Sequence, residues 1–264
     1  MNPVSERDFR IIQLSDCHLS ADPDATYRGL PARAALEQVV AQARRWRPDL
    51  VLVTGDLSED LTEESYASLT RVLDEFRAPV LTTPGNHDDP RLQLKYFPDT
   101  PLETPLVLDA GNWRLVVLNS SVPDEVPGAL TDTMCEGLAT ALDERAGPKL
   151  IALHHQPVPV GSQWIDRYPL REPERLWTIL DGRDDVRAVT WGHVHQVWRS
   201  RRDGIELLAA PSTVSNSLPF RKEFEQDPAG PACRWLKLGP GGRLVSGILR
   251  SAGAGWPGEA ADNG

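Results

Sequence analysis

The six histidines of the chain, at positions 18, 87, 154, 155, 193 and 195, each stand at or just beyond the end of an apolar, strand-like run. The same loops carry Asp16 in SDCHL, Asp56 in TGDL, and Asn86, His87, Asp88 and Asp89 in PGNHDDP. Strand ends are where open α/β sheets bind ligands, and imidazole, carboxylate and amide oxygen together form a metal-ligand inventory. Lacking thiolate, the set suits iron, manganese or zinc, and its many imidazoles argue against magnesium or calcium alone. Any single fragment is weak. GD and GN followed by an acid are ordinary turn signals, and a lone strand-end histidine is more often a structural hydrogen-bonding residue. All of them in order, exhausting the histidines, mark a site.

Spacing says how they would converge. Asp16 and His18 are two apart, so extended backbone would turn both to one face and Cys17 to the other; His193 and His195 in GHVH obey the same rule. His154 and His155 are adjacent and diverge, so only one of them is expected to reach a metal directly. Gly85 lets its turn bring Asn86 and His87 inward. Asp88 could orient the His87 imidazole, whereas Asp89, before Pro90, reads as a turn or helix cap.

The elements that must position these residues are readable from periodicity. FRIIQLS, from Phe9, is a strand; Leu36, Val39, Val40 and Ala43 recur at helical spacing; DLVLVTGD is the next strand, giving a βαβ start. Tyr66, Leu69, Leu73 and Phe76 form a second helical stripe before the strand APVLTTPG. A hairpin is expected around Gly111 and Asn112, and a third helix at Met134, Leu138 and Leu142. Beyond it KLIALHH, VRAVTWGHVHQVWRS, IELLAAP and CRWLKLGPGGRLVSGIL all read as strands, the last a hairpin around its glycine pair. The expected class is α/β, with two packed mixed β-sheets flanked by helices in one domain over residues 1–250. Residues 251–264, Gly/Ala-rich and aperiodic, read as a disordered tail.

With a formal net charge of −10, the chain should repel polyanions, so a nucleic-acid polymer is not an expected partner, and an anionic substrate needs a local positive centre. No apolar window is long enough for a membrane span and the N-terminus lacks the apolar run of a signal peptide, which points to a cytoplasmic protein with no membrane partner. Cys17, Cys135 and Cys233 fit neither a disulfide framework nor a metal knuckle and read as reduced thiols.

The ordered motifs Asp16-Cys17-His18, Gly55-Asp56, Gly85-Asn86-His87-Asp88, His154 and Gly192-His193-Val194-His195 resemble the signature of the calcineurin-like metallophosphoesterases. Within that superfamily HHQPVPVGSQWID, GHVHQ and APST make the chain similar to the bacterial class III 3',5'-cyclic-AMP phosphodiesterases. The resemblance implies a four-layer α-β-β-α fold and two transition-metal ions, iron, manganese or zinc, bridged by Asp56. One would be held also by Asp16, His18 and His195, the other by Asn86, His154 and His193. It implies a bridging hydroxide as nucleophile and His87 reaching the phosphoryl group as general acid or electrostatic stabiliser. His18, Asn86 and His87 would face the substrate, with Asp88 assisting His87, and His155 would either hydrogen-bond the phosphate or buttress its neighbour. The implied substrate is a small phosphodiester, a 3',5'-cyclic nucleotide and foremost cyclic AMP, with another phosphodiester or a phosphomonoester as the alternative and a non-catalytic scaffold as a remote one. Trp164 could stack on a purine or serve as a packing residue, and Arg167 and Arg171 could meet an anion or lie on a solvated surface. Glu172, where that family places an amide, and the stretch Val214-Ser215-Asn216-Ser217 are departures expected to shape the pocket.

Overall fold

The computed structural model describes residues 7–251; the expected C-terminal tail lies, apart from Ser251, outside the described residues. In chain order the strands and helices are β1 (Phe9–Leu14), β2 (Thr26–Tyr27), β3 (Leu30–Pro31), α1 (Ala32–Ala43), β4 (Leu50–Thr54), α2 (Glu63–Leu73), β5 (Val80–Thr83), α3 (Pro90–Tyr96) and β6 (Leu106–Ala110). They continue with β7 (Trp113–Val117), α4 (Asp132–Asp143), β8 (Lys149–Ala152), α5 (Glu174–Leu180), β9 (Val186–Trp191), β10 (Trp198–Arg202), β11 (Ile205–Ala209), β12 (Ala232–Leu238) and β13 (Leu244–Arg250).

The strands form one sheet of order β13-β12-β1-β4-β5, another of order β10-β11-β9-β8-β7-β6, and the small pair β2-β3. Both large sheets are mixed: β1, β4 and β5 run parallel, as do β7, β8, β9 and β11, with antiparallel strands at the margins. The continuous apolar runs of the central strands follow from burial on both faces. In β4, Leu50 and Leu52 enter the core between the sheets, while Val51 and Val53 pack under α1 and α2. In β8, Leu150 likewise faces the first sheet and Ile151 packs under α4 and α5. The layers are therefore helix, sheet, sheet, helix. Each fully buried Leu or Val contributes about 1.5–3 kcal/mol by leaving water.

A polar staple joins the sheets beneath their C-terminal ends. Gln13 of β1 donates to Thr54 Oγ1 at 3.0 Å and to the Trp191 carbonyl at 3.2 Å, and accepts from Thr190 Oγ1 of β9 at 2.7 Å. Leaving one such buried group unpaired costs about 1–3 kcal/mol, so the staple fixes how the sheets meet.

Three expectations need correction. VRAVTWGHVHQVWRS is two strands, β9 and β10, because the GHVH segment leaves the sheet as a loop. The strand-rich second half also holds α5, and α3 lies earlier in the chain, two helices that the periodicity does not predict. Both are seven residues long, too short for a helical stripe to stand out. The paired residues Asp16/His18 and His193/His195 are not extended: their φ values are 53°, 45°, 63° and 49°, in the left-handed region.

Candidate metal centre

The C-terminal ends of β1, β4 and β5 from one sheet and of β8 and β9 from the other deliver the residues singled out in the sequence to one place. Asp16, His18, Asp56 and His195 form one buried cluster, and His154 and His193 lie in a second beside it. Besides the four left-handed residues above, Asp56 has φ 53°. Non-glycine residues in this region cost of order 1–3 kcal/mol each and persist only where surroundings over-determine them. Close approach does so here. A Cβ on Gly85 would stand 2.1 Å from Asp56 Oδ1, and one on Gly192 1.9 Å from Ser15 Oγ.

Hydrogen bonding fixes the tautomers of four rings. His154 Nδ1 donates to the Thr54 carbonyl at 2.7 Å, His195 Nδ1 to the Ser215 carbonyl at 2.7 Å, and His193 Nε2 to the Tyr168 carbonyl at 3.0 Å. Carbonyls can only accept, so those nitrogens carry the protons. His18 Nδ1 is spent in the same way on Glu59 Oε2 at 2.8 Å. Each ring's other nitrogen therefore presents a lone pair inward when neutral. His18 Nε2 faces His195 Nε2 at 3.3 Å, and His154 Nε2 faces His193 Nδ1 at 3.2 Å. Facing lone pairs repel unless a proton or a metal cation lies among them. Outer acceptors that orient ring nitrogens are the usual support of metal-binding histidines.

Asp56 straddles the two groups, with Oδ1 3.4 Å from His154 Nε2 and Oδ2 3.8 Å from His18 Nε2. Asp16 Oδ1 lies 3.3 Å from His195 Nε2, and Asn86 Oδ1 3.2 Å from His154 Nε2. Two buried carboxylates, Asp16 and Asp56, thus converge with imidazoles as their nearest cationic offsets. Burial alone would raise the Asp56 carboxyl, but the facing His154, His87 and His18 hold it well below the usual range. In the metal-free chain burial works against a charged His154, yet Asp56 holds it protonated up to about 9; burial and the neighbouring His154 drop His193 to about 3. Donor chemistry and lone-pair direction both fit two cations held by these residues.

His87 stands at the wall, half-exposed, its backbone N–H donating to Asp56 Oδ1 at 2.9 Å. Its orienting carboxylate is Glu59, whose Oε2 lies 3.2 Å from His87 Nδ1. The hydrogen bond to Glu59 outweighs burial and raises the imidazole to about 9 in the metal-free chain. Asp88, expected in that role, is turned away. Its carboxylate accepts from the backbone N–H groups of Leu57, Ser58 and Gly85 and from the Tyr66 hydroxyl, and burial followed by Asp56 raises it to about 6. Asp89 is the N-cap of α3, accepting from Arg91 and Leu92 N–H. His155, expected to face the substrate, is fully buried, with Nε2 donating to the Val126 carbonyl at 3.0 Å and Nδ1 against Ser120 Oγ at 2.9 Å. Both nitrogens are engaged within the fold.

Above the floor opens a cleft of about 160 Å³, walled by Tyr27, Arg28, His87, Val126, Trp164 and Tyr168. Trp164 lines it, as a stacking platform must. Arg167 and Arg171 do not; they pair with Glu223 and Glu125 at the surface. Glu172 is exposed beside Arg175, 4.0 Å away, and Ser215 serves the floor through its carbonyl, so neither departure shapes the cleft wall. Tyr27, which stacks on His18 at 3.7 Å, Arg28 and Glu59 were missed in the sequence. Only Glu59 left a signal there, as an acid in the TGDLSED loop.

The profile of the calcineurin-like phosphoesterase family matches residues 9–197. The chain is similar to the 3',5'-cyclic adenosine monophosphate phosphodiesterase CpdA of Pseudomonas aeruginosa, 38% identical over 94% of this chain and 92% of the relative. It is 35% identical to a 3',5'-cyclic-nucleotide phosphodiesterase of Nostoc sp., over 91% of each. In fold it resembles a dimetal phosphatase from Danio rerio, with a TM-score of 0.69 at 15% identity, covering 91% of this chain and 98% of the other.

Proposed function

The chain belongs to the calcineurin-like phosphoesterase family, and from that premise we propose that it is a dinuclear metal-dependent phosphodiesterase that hydrolyses 3',5'-cyclic nucleotides, foremost cyclic AMP to 5'-AMP. The activities named for the Pseudomonas and Nostoc relatives support the substrate class. The observation that carries the chemistry is the set of four rings whose outer nitrogens are committed and whose inner nitrogens face one another in two pairs, with Asp56 reaching one ring of each. Iron, manganese or zinc ions, one held by Asp16, His18, Asp56 and His195 and the other by Asp56, Asn86, His154 and His193, would supply Lewis acidity at the phosphoryl oxygens and a nucleophilic water at neutral pH.

The chain's own residues do the rest. His87, kept protonated by Glu59, gives its proton to the departing O3' as the P–O3' bond breaks, which a poor alkoxide leaving group requires. Glu59 also holds the His18 ring, so one carboxylate sets both imidazoles. Asn86 offers an uncharged oxygen at the floor. The cleft of about 160 Å³ takes the phosphoryl group and part of the sugar, leaving the base to lie along Trp164. A ring face reads any base, so selectivity among bases is modest. A cytoplasmic setting is part of the proposal, supported by the free thiols of Cys17, Cys135 and Cys233.

The test is a substrate screen of manganese-, iron- and zinc-reconstituted protein on cyclic nucleotides, linear diesters and aryl monoesters, with product identification. We expect 5'-AMP from cyclic AMP. Turnover of a linear diester with none of any cyclic nucleotide would refute the substrate while leaving the phosphoesterase chemistry standing.

A further inference from the structure

Arg28 lines the cleft alongside His87, His193 and His195, at the turn between the short strands β2 and β3. Its φ of 49° and that of Gly29, 79°, make a tight left-handed turn that fixes where the side chain starts. From there the guanidinium carbon lies 3.9 Å from the Phe224 ring centroid, 5.4 Å from that of Tyr27 and 5.8 Å from that of Trp164. Nε donates to the Tyr27 hydroxyl at 3.3 Å, and among the described residues the terminal nitrogens have no hydrogen-bond partner and no carboxylate pairs with them. Arg167 and Arg171, by contrast, pair with the carboxylates of Glu223 and Glu125.

Ring faces attract a cation without cancelling its charge. A guanidinium set among three rings keeps its forked terminal N–H groups unspent, the geometry that matches phosphate oxygens. In a chain of net charge −10 a positive group at the mouth of the cleft offsets the overall repulsion that an approaching anion meets. We propose that Arg28 is a substrate-binding residue that captures the phosphodiester anion at the mouth of the cleft through its terminal N–H groups. This rests on reading the chain as a phosphodiesterase, and not on the diester being a cyclic nucleotide. A contact made equally in the bound substrate and the transition state changes KM and leaves kcat alone.

The experiment measures kcat and KM for cyclic AMP and for bis(p-nitrophenyl) phosphate at low and high ionic strength, with metal content, for the manganese-loaded enzyme and for Arg28→Met and Arg28→Lys. Arg28→Met should raise KM for both diesters about tenfold, the worth of a hydrogen bond to a charged group, with kcat and metal content held. Its kcat/KM should depend less on salt than that of the unmodified enzyme. Arg28→Lys should recover part of the loss. An unchanged KM, or a fall in kcat together with lost metal, would overturn the assignment. If the unmodified enzyme cleaves the aryl diester and no cyclic nucleotide, the function proposed above fails, and Arg28 stands or falls on the aryl-diester KM.

Discussion

On the floor of the cleft Asp16, His18, Asp56, His154, His193 and His195 are at most 4% exposed, and every outer ring nitrogen has a named acceptor. On the rim Tyr27, Arg28, Trp164 and Phe224 meet through ring faces and edges, and among the described residues the indole N–H of Trp164 has no hydrogen-bond partner. Directional bonds leave the floor one arrangement, whereas face contacts allow the rim to adjust to what it touches. Chemistry should therefore fail when the floor is altered, and affinity when the rim is.

The severest break of that contrast is Asp56→Asn. Losing the carboxylate between the two clusters should remove bound metal from both positions and lower kcat about a thousandfold or more, as for loss of a major electrostatic element; metal analysis beside turnover decides it. A variant that kept two ions per chain would remove Asp56 from its bridging role.

His87→Ala tests the boundary between the regions. Metal content should hold while kcat falls about 10²–10⁴-fold, the usual contribution of one general acid. Metal loss as severe as in Asp56→Asn would move His87 onto the floor.

Glu59→Gln should act through His87 and cost less, about 10–100-fold, as removal of an orienting partner does. The pH profile carries a sharper signature. Glu59 raises the His87 imidazole, so its loss lowers that value, and the fall in kcat on the alkaline side, where His87 gives up its proton, should begin at lower pH. A kcat profile superimposable on that of the unmodified enzyme would leave Glu59 without influence on His87.

Trp164→Ala should give the smallest effect, a KM for cyclic AMP raised about five- to tenfold through lost stacking, with kcat and metal content unchanged. A variant that lost metal would tie rim and floor together and erase the contrast.

The same contrast explains what could be read in advance. Metal ligation permits few residue types, and a strand end followed by Asp, Asn or His is visible along the chain, so the floor and the parallel strands beneath it were legible. Asp88 was misassigned because adjacency to His87 suggested contact, whereas the turn sends its carboxylate into the backbone of Leu57, Ser58 and Gly85. His155 looked available until Val126 and Ser120 took both nitrogens. Arg28 left no trace: TYRGL has no periodicity, and its partner Phe224 comes from a distant loop. The left-handed backbone at the ligands was invisible too, since Asp and His, unlike glycine, do not announce it.

The order of the first sheet has a consequence for how the molecule is made. β1 lies between β4 and β12, so this strand, the first among the described residues, keeps one edge bare until residues 232–238 follow it. The loop carrying Asp16 and His18 springs from that half-paired strand. Unpaired edges of this kind are the sticky surfaces of nascent chains. The last ligand, His195, is synthesised well before the sheet that supports the first is closed. Pairing with β12, rather than synthesis of the final histidine, is the event that closes the sheet from which Asp16 and His18 spring.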